Sequence, residues 1–299
     1  SLILLLTATI WGMAFVSQSK GMDYMHPFTF NGVRSLIGAA SILMYILISR
    51  KIAGDKAAKL DWKLNAKAGL LCGIFLTIAS TLQQFGIKYT SVGKAGFITT
   101  LYIIFVPMFG IFLKKKVAPV VWAAAGMAAV GMYLLCMTES LRLGAGDVMV
   151  FLCAIAFAIQ IMTVDHYAAS IDGAVVSCIQ FTVCGVVCCI GALIWGQPTF
   201  GQIQEGLGAL LYAGVLSCGV GYTLQIVGQK GLNPTVAALI MSLESVIATI
   251  SGWIAYKIGF LSTDQTLTPR QIAGCVIVFA AVILVQLPPE WFRFGKKNA

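Results

Sequence analysis

The chain has 299 residues, 59% of them apolar and 10% charged, with 20 Lys and Arg against 11 Asp and Glu. An ordinary soluble domain carries roughly 25% charged residues, and a mean hydropathy of +0.91 excludes the polar cover that a water-facing fold of this size requires. The formal net charge of +9 therefore has to be explained within a membrane protein.

A helix needs about 20 apolar residues to cross the roughly 30 Å hydrocarbon layer, where no water satisfies its backbone. In chain order the stretches that meet this requirement are residues 2–19, 27–49, 66–87, 95–113 and 117–137, then 146–164, 174–195, 206–228, 235–256 and 269–287. They predict an all-α polytopic membrane protein of ten transmembrane helices, joined by loops too short to hold a soluble domain. The first stretch has the length of a signal-peptide core. No small-residue cleavage site follows it and nine more spans do, so it is expected to be retained. The chain starts at Ser1 without Met, and further residues are expected upstream.

Lys and Arg in short loops tend to stay on the cytoplasmic side. One side collects Arg50, Lys51, Lys56, Lys59, Lys63, Lys67, Lys114, Lys115, Lys116, Lys230, Arg293, Lys296 and Lys297; the other has Lys20, Lys88, Lys94, Arg142, Lys257 and Arg270. Both termini are thus expected in the cytoplasm, in the cell (inner) membrane. Residues 289–299 read as a basic cytoplasmic tail, entered through an aromatic interfacial anchor at Trp291, Phe292 and Phe294. This bias, with attraction to anionic lipid, accounts for the net charge, and no nucleic-acid partner is expected.

The nine cysteines all fall in apolar runs, with no CxxC and no paired His, which is neither a disulfide framework nor a zinc site. Cys184 and Cys188 stand one helical turn apart, a spacing that suits a soft metal, but packing of small lipid-compatible residues is the plainer reading. His26 and His166 lie at the ends of apolar runs, so no HExxH, Ser/His/Asp or Cys/His arrangement can form inside the membrane. No GxxxxGK[ST] loop occurs. Nucleotide hydrolysis, a metal and a cofactor are all unexpected.

Thr81-Leu82-Gln83, followed by Gly86 and Lys88, recurs 142 residues later as Thr223-Leu224-Gln225, followed by Gly228 and Lys230. Pro119 and Ala125-Gly126 match Pro269 and Ala273-Gly274, while Pro27 and Gly38 match Ala174 and Gly185. The repeat divides the chain into residues 1–140 and 141–288, five spans each. Because five is odd, the second unit enters the membrane from the opposite side. Two inverted five-helix repeats related by an axis in the membrane plane are the architecture of alternating access.

Ile10-Trp11-Gly12, the run from Tyr89 through Lys94 to Phe97 with Val106-Pro107, and the run from Pro234 to Glu244 resemble the EamA repeats of the drug/metabolite transporter superfamily. The resemblance covers nearly the whole chain and implies a ten-helix secondary transporter of small metabolites such as amino acids, often an exporter. Two departures stand out. Glu244-Ser245 occupies the place of a common Glu-Pro, which removes a proline kink, and Lys257 to Thr268 replaces a short Gly-Glu turn with a loop long enough to cap the outer mouth.

An ionisable group inside a span costs about 2.5–3.5 kcal/mol on insertion scales and normally faces a cavity or a partner. Glu244, roughly 16 Å into the ninth span, is the best single candidate: it could bind a substrate amine or carry a coupling proton. Arg34 is expected to be a structural charge. Gln83, Gln225 and Gln160 are candidate substrate contacts, Gln83 and Gln225 because they are repeat equivalents. Trp11, Lys94 and Tyr102 are placed toward the outer side of the site, the two aromatics to stack on a solute and Lys94 to meet an anionic group. Gly69 and Gly73 are spaced for close helix contact.

These readings converge on a secondary transporter, an exporter of amino acids or related small metabolites, whose partners are a small-molecule solute and membrane lipid, working as a monomer or homodimer. The rivals are import of a quaternary amine or other cation through Glu244 and the aromatics, and nucleotide-sugar or phosphate-ester antiport through Arg34 and Lys94. More distant are an intramembrane enzyme, which lacks a His within any span, and a channel, which would show no counterflow.

Overall fold

A computed structural model describes residues 2–54, 60–90, 92–113, 118–136, 144–261 and 266–286, and every regular element among them is helical. The helices start where a side chain can satisfy an exposed N–H. His26 Nδ1 accepts from the Phe28 N–H at 3.4 Å, one residue ahead of Pro27, which opens α2 (Pro27–Ala53). Asp61 accepts from the Leu64 N–H at 3.0 Å at the start of α3 (Trp62–Tyr89). Asp172 caps α8 (Gly173–Gly191) through the Ala174 and Val175 N–H groups, and Asn233 caps α12 (Pro234–Met241) through the Thr235 N–H.

The first unit comprises α1 (Leu2–Gly21), α2, α3, a fourth span broken into α4 (Val92–Thr100) and α5 (Tyr102–Phe112), and α6 (Pro119–Cys136). The second comprises α7 (Ala145–Tyr167) and α8, which runs on as a π-helical turn over Ala192–Gly196. A short α9 (Phe200–Glu205) leads to its third rod, made of α10 (Leu207–Leu211), a π-helical segment Tyr212–Gly221 and α11 (Tyr222–Gln229). A fourth broken span, α12 with α13 (Leu243–Lys257), and α14 (Pro269–Gln286) complete it. Among the described residues, eight rods are long and apolar enough to cross a membrane. In the places of the predicted fifth and tenth spans stand α6 and α14, whose apolar stretches Pro119–Gly131 and Pro269–Leu284 are shorter. The expected tail, residues 289–299, lies outside the described residues.

The two units pack as an inverted pair. α2 lies against its equivalent α8, and α6 against α14, while α3 against α7 is mirrored by α1 against the third rod of the second unit. Missing side chains let these rods approach. A Cβ on Gly69 would stand 2.7 Å from Ile179 Cβ, and one on Gly73 2.9 Å from Val183 Cβ, so α3 and α8 meet at the pair of glycines read from the sequence as packing residues.

The ends of the molecule are closed by different chemistry. Where α2 begins and α3 ends, the rings of His26, Phe28, Phe85 and Trp195 gather, with centroids 5.2–5.8 Å apart. At the opposite end Asn65 Oδ1 accepts from the Asp172 N–H at 2.8 Å and Lys230 Nζ donates to the Ile171 carbonyl at 3.1 Å. These bonds tie the turn before α8 to α3 and α11.

Gly73→Leu is expected to force α3 from α8 and lower stability by about 1–3 kcal/mol, read as a lower melting temperature in detergent, whereas Gly126→Ala, which meets open space, leaves it unchanged. A second expectation concerns His26. Burial, then the nearby Lys88 charge, hold its imidazole below the ordinary value of 6.5. The folded state thus favours the neutral, accepting ring, so its contribution is complete above about pH 6.5 and is lost as the pH falls through the folded value. The melting temperature should drop with acidification by more in the native chain than in His26→Asn, which keeps a cap acceptor without titrating.

Candidate functional site

A back-bonding hydroxyl stands at the break in the fourth span of each unit. Thr100 Oγ1 donates back to the Gly96 and Phe97 carbonyls at 3.0 and 2.9 Å. Ser242 Oγ donates to the Leu239 carbonyl at 2.7 Å and Ser245 Oγ to the Ser242 carbonyl at 2.8 Å. Such back-bonding competes with the helical ladder and bends helices. Thr100 and Ser242 have the spacing of the sequence repeat. The ninth span therefore breaks without the proline that its sequence lacks at Ser245.

Two residues beyond each of these hydroxyls stand Tyr102 and Glu244, and they meet. Tyr102 Oη donates to Glu244 Oε1 at 3.0 Å, across a separation of 142 residues that equals the spacing of Gln83 and Gln225. Both are buried. Glu244 lies ten residues beyond Pro234, about 15 Å along a helix axis. Tyr102 follows the break at Leu101 and reaches the carboxylate of the other unit.

The pair lies on the wall of a cavity of about 40 Å³, room for ordered water and little more in this conformation. Trp11, Gln83, Gln160 and Gln225, read from the sequence as candidate solute contacts, line it, and so does Arg34, read as a structural charge. The Lys94 side chain lies outside the described residues. Trp11 packs against Tyr222 with centroids 4.6 Å apart and planes tilted by 51°, Tyr222 meets Phe181 edge-on at 4.9 Å, and the Trp11 indole donates to the Ser217 carbonyl at 3.4 Å. That carbonyl belongs to the π-helical segment. Such segments frequently mark functional positions.

The wall is built in matched pairs. Phe15 and Phe157, Gln18 and Gln160, and Gln83 and Gln225 each share the repeat spacing and all line the cavity. Gln83 Nε2 donates to Thr99 Oγ1 and Gln225 Nε2 to Gln160 Oε1, both at 3.2 Å. Gln18 Oε1, Gln160 Nε2, Gln225 Oε1 and Arg34 Nε are buried with no hydrogen-bond partner among the described residues. Buried polar atoms rarely stay unpaired in a native protein. These four line the cavity and give it groups able to bind polar molecules, while others, on Asn31, Gln84 and Gln180 among them, lie away from it. Gln18, Phe181 and Tyr222 are lining residues that the sequence reading did not single out. The spacing between Gln18 and Gln160 carried the signal for the first.

The model of the EamA-like transporter family matches residues 1–137 and again 144–287. The chain belongs to the EamA-like transporter family. It is similar to an "uncharacterized transporter" of Archaeoglobus fulgidus, 27% identical over 95% of this chain and 84% of that one. It is also similar to the Bacillus subtilis "uncharacterized transporter" YwfM, 25% identical over 97% and 94%. A solved crystal structure, 16% identical, shares the fold with a TM-score of 0.75 over 98% of each chain. The protein is therefore a multi-pass membrane transporter of the drug/metabolite type, with a small-molecule solute as its cargo.

Tyr102→Phe removes the hydroxyl from a buried carboxyl group. It is expected to cost about 1 kcal/mol in thermal melts. The same change made in a Glu244→Leu background should cost close to nothing, because the two residues contribute as a pair.

Proposed function

We propose that this chain is a secondary transporter that exports amino acids or related small metabolites by alternating access across the cell membrane. The observation that carries the reading is the Tyr102–Glu244 contact, in which the two broken spans, one from each inverted unit, meet on the wall of a cavity. A solute held there is contacted by both units at once, so that rocking one against the other exposes it to alternate sides. Glu244, Gln83, Gln225, Gln160, Trp11 and Tyr102 form the solute path in this reading, with Lys94 at its outer mouth.

Glu244 is also the group that couples transport to protons. Its carboxyl group can carry a proton or a substrate amine, and exchange of one for the other links the two movements. Export as the direction rests on the resemblance to the family. The rings of Trp11 and Tyr222, on the same wall as Glu244, favour as a second reading a cationic solute held by cation–π contact.

In proteoliposomes, an amino acid trapped inside is expected to accelerate entry of labelled amino acid, and an imposed proton gradient to drive accumulation. Glu244→Gln should abolish the gradient-driven component, by at least about tenfold, with the protein still folded. Gradient-driven transport that survives unchanged in Glu244→Gln would overturn the coupling role. Flux without counterflow would mean a channel.

A further inference from the structure

Beside the matched pairs the cavity wall holds pairs that differ, among them Leu76 with Cys218 and Ser80 with Tyr222 at the 142-residue spacing, and two of the differing positions carry its Arg and its Glu. Where the first unit has Tyr102 the second has Glu244. Where the first has Arg34 the second has Phe181, at the 147-residue spacing of Pro27 and Ala174. Both charges of the cavity therefore arise where the units differ, one positive from the first unit and one negative from the second.

The two charges are buried and not paired with each other. Arg34 is 5% exposed and Glu244 4%, and the ion pair at the end of α1, Lys20 with Asp23, involves neither. The Arg34 guanidinium lies 5.4 Å from the Phe30 ring, its Nε without a partner, and Glu244 receives the Tyr102 hydroxyl. Tyr222 lines the same cavity as both. Burial of a charge this deep demands compensation. Two opposite charges on one cavity that do not reach each other are compensated together by a solute bearing both complements.

Resting on the transport reading above, we propose that Arg34 and Glu244 are the two poles of a site for a zwitterionic solute, an α-amino acid. Its carboxylate lies on the Arg34 guanidinium and its ammonium on Glu244. Arg34, on this assignment, is a specificity-determining residue. The fixed poles orient the solute one way, and the Phe15, Phe157 and Phe181 rings receive its side chain.

The test is a thermal-shift and exchange series on the purified full chain. The twenty amino acids are screened first, followed for each one that binds by its carboxamide, which lacks the anionic group, and its deaminated acid, which lacks the cationic one. The native protein is expected to bind the amino acid at least about tenfold more tightly than either derivative. Arg34→Gln should lose the discrimination against the amide alone, Glu244→Gln the discrimination against the deaminated acid alone, and Arg34→Lys should restore most of the first. Should Arg34→Gln fail to fold, the native protein's ratio between amino acid and amide, compared with that of Arg34→Lys, remains the readout. An amide that binds the native protein as well as its amino acid overturns the Arg34 pole and leaves the transporter reading standing. Binding and exchange of a quaternary amine or phosphate ester, with no amino acid among the ligands, overturns the zwitterion site. Exchange of no solute in any of these classes overturns the transport reading and this proposal with it.

Discussion

A helix in lipid can be interrupted only where the protein itself supplies partners for the freed backbone groups, and this molecule meets that constraint twice, at equivalent places. Thr100 and Ser242 satisfy carbonyls of the turn before each break with their own hydroxyls. The residues that follow, Tyr102 and Glu244, then face each other rather than lipid. Both breaks are thereby buried in one locus, and the cavity exists because two half-helices on either side must be accommodated there. Removing the breaks would leave two continuous apolar rods with no reason to present a carboxylate to anything.

Close approach of the remaining rods depends on small residues at contact points. Gly69 and Gly73 bring α3 to α8, and Gly131 lets α6 reach the backbone of α14 at Gly274 and Val278. In lipid, where burial of apolar surface offers no gain over exposure to acyl chains, such packing carries the association of helices. It also keeps the wall of the cavity in fixed register between the units, which is why matched side chains face each other across it.

The architecture was legible in the sequence because hydropathy and an odd-numbered repeat are both one-dimensional signals. The helical class, the two repeats and the positions of Glu244, Gln83 and Gln225 within apolar runs required no knowledge of which way a side chain points. The cavity was less legible. α1 and α2 are apolar nearly all round, so nothing in their periodicity says that Arg34 and Gln18 look inward. The spacing between Gln18 and Gln160 was there to be read, but two identical residues are easier to notice within a longer matching run. Tyr102 and Glu244 are unlike, so their equivalence became visible only through the contact itself. The break at Ser242 was hidden because hydroxyl back-bonding has a weaker sequence signature than proline, and the π-helical segment at Tyr212–Gly221 shifts the register of its rod in a way no period analysis anticipates.

The unlike closures at the two ends carry a thermodynamic consequence. Parting the rings of His26, Phe28, Phe85 and Trp195 exposes apolar surface and so raises the heat capacity, while parting Asn65 from Asp172 and Lys230 from Ile171 hydrates polar groups, which lowers it. Two conformations that each open one of these ends therefore differ in heat capacity as well as in shape. Their ratio follows a curved dependence on temperature, and cooling, which weakens the hydrophobic contribution, shifts it toward the state in which the aromatic end is parted.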